Sequence, residues 1–297
     1  MSLSARLIGF NRKMSRAVEA WLPVSFKRHL HTLYKFEVAD LVNRRPAQVV
    51  LDIGGGKECP FLPFVKQTRG HLIIAVDCAD HELRLNSELD NKVVADAASC
   101  VFPFRENSAD LIVSRSVVEH LHDNSAFFSN CAKVLHPGGA LVHTFPCKFA
   151  PFSLINQLLP NRVTRRLLAY FHPHWEDECG FVAYYDRCYY SGMRQLLERS
   201  GFCNTRFAFR YYQSIYFDFC FPLYVLALAY DLLVWALGIR NLACAILVTA
   251  ERPLPPGAAR DAAAPSEASP SHVAEAPVSS GIFAKHGAWR ADCAETG

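Results

Sequence analysis

Val49-Val50-Leu51-Asp52-Ile53-Gly54-Gly55-Gly56 joins an apolar, β-branched run to three consecutive glycines. The run has the character of a strand buried on both faces of a parallel sheet. The glycines let the chain turn sharply and let a ligand approach its peptide groups, and Asp52 adds a carboxylate at the strand's carboxyl end. A tight strand-to-helix turn without a ligand fits the same eight residues, so the surroundings must decide. A P-loop needs Gly, four residues, then Gly-Lys-Ser/Thr; Leu51 stands at its first glycine and Glu58 follows Lys57, which excludes it. A Gly-x-Gly-x-x-Gly dinucleotide fingerprint is incomplete, because Cys59 holds its last position.

Working outward, Leu72-Ile73-Ile74-Ala75-Val76 is a second apolar run that ends in Asp77. An acid there commonly receives the ribose hydroxyls of a nucleoside, in NAD enzymes as in others. Val93-Val94-Ala95-Asp96-Ala97 repeats the pattern, and Leu111-Ile112-Val113-Ser114 and residues 138–145 supply a fourth and a fifth run. Five buried strands separated by helix-length segments describe a doubly wound α/β sheet.

In this order and spacing the chain resembles the class I S-adenosylmethionine-dependent methyltransferases, within them the subgroup related to quinone-biosynthesis methyltransferases. The matching stretches are Asp52-x-Gly54-x-Gly56, Ala75-Val76-Asp77, Ala95-Asp96-Ala97, Phe102-Pro103-Phe104 with Ala109-Asp110-Leu111-Ile112, Val117-Val118-Glu119-His120-Leu121 and Leu135-His136-Pro137-Gly138-Gly139, roughly residues 45 to 150. The resemblance implies a seven-stranded Rossmann-like sheet with an antiparallel last strand, and S-adenosyl-L-methionine as cofactor. It implies that Asp52, Gly54, Gly55 and Gly56 meet the cofactor's amino acid end, Asp77 its ribose, and Asp96 with Ala97 its adenine. One departure stands out: the family's third glycine falls at Glu58, which puts the shape of the carboxylate-binding end in doubt.

The chain has 297 residues, 51% of them hydrophobic, a formal charge of +3 and eleven cysteines. That length suits one substantial domain with appendages. The cysteines lack paired spacing and follow no cleavable leader, so a reducing cytoplasm is expected. Residues 1–45 read as a basic amphipathic arm: Arg6, Arg12, Lys13, Arg16, Lys27, Arg28, Lys35, Arg44 and Arg45 oppose only Glu19, Glu37 and Asp40. Such a segment lies on an anionic membrane, covers the cofactor site, or packs on the domain with a solvated outer face. The methyltransferase domain is expected over 46–251, with an Ala/Pro/Ser-rich, disordered tail over 252–297.

Two segments depart from a plain sheet-and-helix pattern. Residues 148–187 are too long for an ordinary connection and read as a substrate cover, with a helix over 152–170 and an aromatic, acidic and histidine-rich cluster from His172 to Glu178. Residues 212–242 form an apolar insertion between the last two strands. One crossing would leave those strands on opposite sides of a bilayer, and Asp231 interrupts the run, so a helical hairpin or bent helix is expected, broken near Pro222 and Gly238. Dipping into one leaflet, capping a lipidic tunnel and packing in a homodimer all remain open for it.

Methyl transfer to a hydroxyl is helped by a base at neutral pH, and His120 is the candidate, with His143, His172 and His174 behind it. His120, His122 and Asp123 do not suggest a metal site, since ligands two apart on a helix diverge. The expected acceptor is a glycan or lipid-linked glycan at the membrane surface; an isoprenoid quinone or other lipid is the second class. A non-catalytic membrane scaffold and a dehydrogenase are the rivals. No nucleic acid partner and no metal are expected.

Overall fold

The computed structural model describes residues 3–66, 68, 70–99, 102–171 and 181–255. The cluster from His172 to Glu178 and the tail beyond residue 255 lie outside the described residues.

The strands are β1 (Val49–Ile53), β2 (Leu72–Asp77), β3 (Asn91–Val94), β4 (Ala109–Arg115), β5 (Leu135–Pro146), β6 (Cys203–Arg210) and β7 (Ala245–Glu251). They form one seven-stranded sheet in the order β3-β2-β1-β4-β5-β7-β6, and β7 runs antiparallel to both neighbours. The strand order reverses between β1 and β4, so the crevice expected in open α/β sheets opens beyond their carboxyl ends. Register aligns that edge: Ile53 lies opposite Val76 of β2 and Ser114 of β4. Gly54, Asp77 and Arg115, each one residue farther on, therefore come to one rim.

Strand alternation sorts the core onto two faces. Leu51 and Ile53 pack with Phe127, Phe128 and Cys131 of helix α4 (Asn124–Val134) and with Met193, Leu196 and Leu197 of α7 (Tyr190–Arg199). Val50 packs on the other face with Leu30, Tyr34, Val38 and Val42 of α2 (Leu30–Arg44). Those four residues are spaced four apart, which lines them along one side of a helix. The expected arm is therefore two different things. Residues 30–44 belong to the domain core, and only α1 (Leu3–Glu19) lies apart from the sheet, packed on α8 (Phe221–Ala236). For α2 this is the third of the expected alternatives, a helix packed on the domain with its charges on the outer side.

The apolar insertion holds a single α-helix, α8, flanked by 3₁₀ turns at Ser214–Phe217 and Arg240–Leu242, and not the two helices of a hairpin. Pro222 sits in its first turn, where a missing N–H costs nothing. Gly238, at φ +62°, ends it: Gly238 N donates to Trp235 O (3.1 Å) and Ile239 N to Val234 O (3.1 Å), the paired bonds of a left-handed cap. Among the described residues no helix is long and apolar enough to cross a membrane. Asp231 is buried, and one carboxyl oxygen accepts from Gln213 N (2.9 Å) and Ser214 N (2.7 Å). The acid in the apolar run thus fastens the loop after β6 to α8. Asp231→Ala is expected to cost roughly 2–4 kcal/mol, because it leaves two inner backbone donors without a partner; urea unfolding at constant m-value measures it.

Candidate active site

The glycine loop after β1 is shaped by what crowds it. Gly54 adopts φ +76°, and a Cβ there would lie 2.2 Å from Val117 Cγ2. A Cβ at Gly56 would lie 3.0 Å from Asp77 Oδ2 and 2.8 Å from Cβ of Glu82 on α3 (Asp80–Leu85). Backbone thus approaches the Asp77 carboxylate at a distance only glycine allows. Buried Asn86 anchors the loop, its Nδ2 donating to Gly55 O at 2.8 Å.

Asp52 lies beneath this loop, 3% exposed, with Oδ2 lacking a hydrogen-bond partner among the described residues. Burial pushes its carboxyl up to about 7, opposed by the Arg115 guanidinium and a hydrogen bond with Cys59. A buried acid with a spare oxygen, under a cradle without side chains, fits the ammonium group at the amino acid end of a nucleoside cofactor. Asp77 Oδ1 accepts from Ala79 N (2.8 Å), and Asp96 Oδ1 accepts from Ala98 N (2.9 Å). The same turn thus follows β2 and β3 and fixes both acids. Asp96 is exposed and Ala97 buried, and β3 is in register with β2 through Val94 opposite Asp77, so both acids stand at one corner of the sheet. Where the third glycine was missing, Glu58 Oε1 reaches Arg115 Nη2 at 2.7 Å and ties the loop to the end of β4.

Beside this corner is a cavity of about 440 Å³, bordered by the turn after β4, the ends of β5, β6 and β7, and the cover. The cover comprises α5 (Pro151–Leu158), α6 (Asn161–Phe171) and residues 181–187, which divides the single helix expected over 152–170 into two. It is tied down at Glu119, whose carbonyl accepts from Tyr184 N (2.8 Å) and Tyr185 N (3.0 Å).

His120 lines the cavity, on a short 3₁₀ turn (Val118–His120). Its Nδ1 lies 3.0 Å from Val182 O. A carbonyl only accepts, so Nδ1 carries the proton and Nε2 keeps its lone pair. Burial lowers the His120 pKa, so the ring is neutral at pH 7. Glu119 Oε1 lies 3.8 Å from His120 Nε2, but burial pushes the Glu119 carboxyl up to about 8. At pH 7 the two are neutral neighbours and not an ion pair.

Of the other candidate histidines, His143 does not join the site. His143, 0% exposed, has Nδ1 2.7 Å from Ser114 Oγ and its ring edge-on to both Phe127 and Phe128, with a pKa pushed down to about 3 by burial. It is a packing residue of the sheet. His172 and His174 lie outside the described residues. The sequence reading also passed over Arg115, Glu119 and Arg210, which all line the cavity. Glu119 stood inside a quoted motif; the arginines come from elements far apart in the chain and had no local signal.

Residues 51–143 match a protein family described as "Methyltransferase domain". Phosphoethanolamine N-methyltransferase 2 of Caenorhabditis elegans is 32% identical over 108 residues, 34% of this chain and 24% of that protein. Demethylmenaquinone methyltransferase of Streptomyces avermitilis is 26% identical over 129 residues, 41% of this chain and 54% of that one. The chain therefore spans about a quarter of the first of these relatives and about half of the second. Among solved structures, phosphoethanolamine N-methyltransferase 2 of Haemonchus contortus superposes with a TM-score of 0.46 at 16% identity, over 75% of this chain and 52% of that one.

Proposed function

From a methyltransferase domain at residues 51–143, we propose that this chain transfers a methyl group from S-adenosyl-L-methionine to a hydroxyl of a glycan or lipid-linked glycan at a membrane surface. The observation that carries the reading is the shared edge: the glycine loop, Asp77 and a cavity lined by a neutral histidine all open at the carboxyl ends of the parallel strands.

The residues present fit the cofactor. Asp52 with Gly54 to Gly56 would hold its amino acid end, Asp77 its ribose, and Asp96 with Ala97 its adenine; the cofactor supplies a methyl group on a positively charged sulfur. The protein's part is alignment and exclusion of water. The cover encloses the acceptor, and His120 Nε2 takes the hydroxyl proton as the oxygen becomes nucleophilic.

The membrane part rests on α8 and α1. The outer arc of α8 holds Val225, Leu226, Ala229 and Leu233 without a single charge, and Leu226 and Leu233 are 69% and 58% exposed. On α1, Leu7 and Phe10 are each 61% exposed and Arg6, Lys13 and Arg16 are exposed beside them. Apolar residues ringed by basic ones suit an anionic bilayer entered to shallow depth. Flotation with vesicles containing anionic phospholipid should carry the wild-type protein and lose Leu226→Glu/Leu233→Glu by at least about tenfold, since each leucine contributes roughly 1.5–3 kcal/mol on burial. Binding unchanged in that variant, together with a shift from dimer to monomer, would assign the face to a second copy of the chain.

Incubation with methyl-labelled cofactor and a cell-envelope extract tests the acceptor: label is expected in the glycan or lipid-linked glycan fraction, where unlabelled cofactor should add about 14 mass units (one CH₂). Label confined to quinones or other lipids would favour the second acceptor class, consistent with the apolar outer face of α8. Cofactor binding without any labelled product would favour a scaffold.

A further inference from the structure

The cavity holds more positive charge than methyl transfer requires. Arg115 at the end of β4, Arg162 on α6 and Arg210 at the end of β6 all line it, and Glu119 is the one carboxylate among its described lining residues. Burial raises the Glu119 carboxyl to about 8, so at pH 7 it offsets little of this charge. Arg115 is occupied by Glu58 at 2.7 Å. Arg210 gives only Nε to Tyr212 O (2.9 Å), and Arg162 has no hydrogen bond or ion pair with any described residue. Among the described residues, neither of these two guanidinium groups has a carboxylate partner at the cavity.

A second group registers the same field. His31 also lines the cavity, and burial, then Arg115, Arg210 and Lys35, push its pKa down to about 4. Between these groups the lining is apolar and aromatic: Leu30, Phe145, and Phe152 stacked on Tyr216 at 4.4 Å. Arg210 is half-buried beside these walls, where its charge is screened less than in open water, and Arg162 stands exposed at the cavity's edge; together they favour an anionic ligand. The planar guanidinium fork matches the oxygens of a phosphate group, whose charge of about −1.5 to −2 balances two arginines. A neutral glycan would leave both unpaired.

We infer that the acceptor is a phosphate ester, whose phosphate is held by Arg162 and Arg210 while its hydroxyl is presented to His120. This rests on the methyl-transfer reading of the site and narrows its substrate class. A soluble sugar phosphate and a lipid-borne phosphate share this chemistry.

Inorganic pyrophosphate is the probe, titrated calorimetrically into wild-type, Arg162→Gln, Arg162→Lys and Arg162→Gln/Arg210→Gln proteins, with S-adenosylhomocysteine binding as the parallel measurement. Arg162 is exposed, so its replacement leaves the fold intact, and a thermal melt verifies this for the double variant. Expected are a roughly tenfold loss of pyrophosphate affinity in Arg162→Gln, partial retention in Arg162→Lys, loss beyond detection in the double variant, and unchanged S-adenosylhomocysteine affinity in all. Competition by glucose 1-phosphate would place the phosphate on a free sugar, and competition only by phosphatidic acid vesicles would place it on a lipid; either supports the inference. Wild-type protein that binds S-adenosylhomocysteine but not pyrophosphate, or a double variant that binds pyrophosphate as well as wild type, overturns it. Arginine-dependent pyrophosphate binding without S-adenosylhomocysteine binding would keep the anion site and remove the methyl-transfer reading.

Discussion

Replacing His120 by glutamine is expected to lower kcat by roughly 10²- to 10⁴-fold, the range for a positioned general base, while cofactor affinity stays within a few-fold of wild type. Glutamine can still donate to Val182 O, so the turn keeps its anchor and only the basic lone pair is lost. The pH profile supplies a second readout. Burial lowers the His120 pKa below its ordinary 6.5, so the fraction of neutral ring, and with it the wild-type rate, should rise with pH to a plateau reached below that of an exposed histidine. That acid limb should vanish in His120→Gln. A rate changed less than about threefold, or an acid limb that persists, would show that the hydroxyl loses its proton without this side chain.

Gly54→Ala is expected to weaken S-adenosylhomocysteine binding more than tenfold and to lower the melting temperature. Two costs combine. Alanine at φ +76° bears a left-handed penalty of roughly 1–2 kcal/mol, and its Cβ would stand 2.2 Å from Val117 Cγ2. Val117 immediately precedes the turn that carries Glu119 and His120, so relief of the clash displaces both the loop and the base. Gly70→Ala separates the terms: Gly70 has φ +98° but nothing within 4 Å of an added Cβ, so only the backbone penalty applies. Adding Val117→Ala to Gly54→Ala should recover part of the binding. Equal effects at Gly54 and Gly70 would mean that contact with Val117 is irrelevant to the cradle.

The fold was largely legible because its signals are local. Five apolar runs end in glycine, acid or turn residues, and an acid stands at or within two residues of the carboxyl end of each of the first three strands, as a parallel sheet with one functional edge explains. What escaped depends on partners distant in sequence. Tyr34 and Val38 mark α2 as core only once β1 and β4 lie beneath them. Asp231 looked costly in an apolar run until Gln213 and Ser214 supplied their backbone donors. Within the site, Asp52, Gly54, Gly56 and Asp77 stand in one crowded corner, as their motif suggested. Arg115, Arg162 and Arg210 could not be grouped in advance, since nothing along the chain links the ends of β4 and β6 to α6. Nor could Glu119 be known as neutral, because its protonation follows from burial.

Calorimetric titration of S-adenosylhomocysteine across pH tests the central claim most directly. Below pH 7 Asp52 is mostly protonated, and a ligand ammonium that favours its anion must displace that proton; affinity should therefore tighten from pH 6 to 8 and level off above the carboxyl's value of about 7. Asp77→Ala should lose at least about tenfold at every pH, as expected when a hydrogen bond to a charged group is removed. No binding to the wild-type protein at any pH, or equal binding in Asp77→Ala, would contradict a nucleoside site at the ends of β1 and β2.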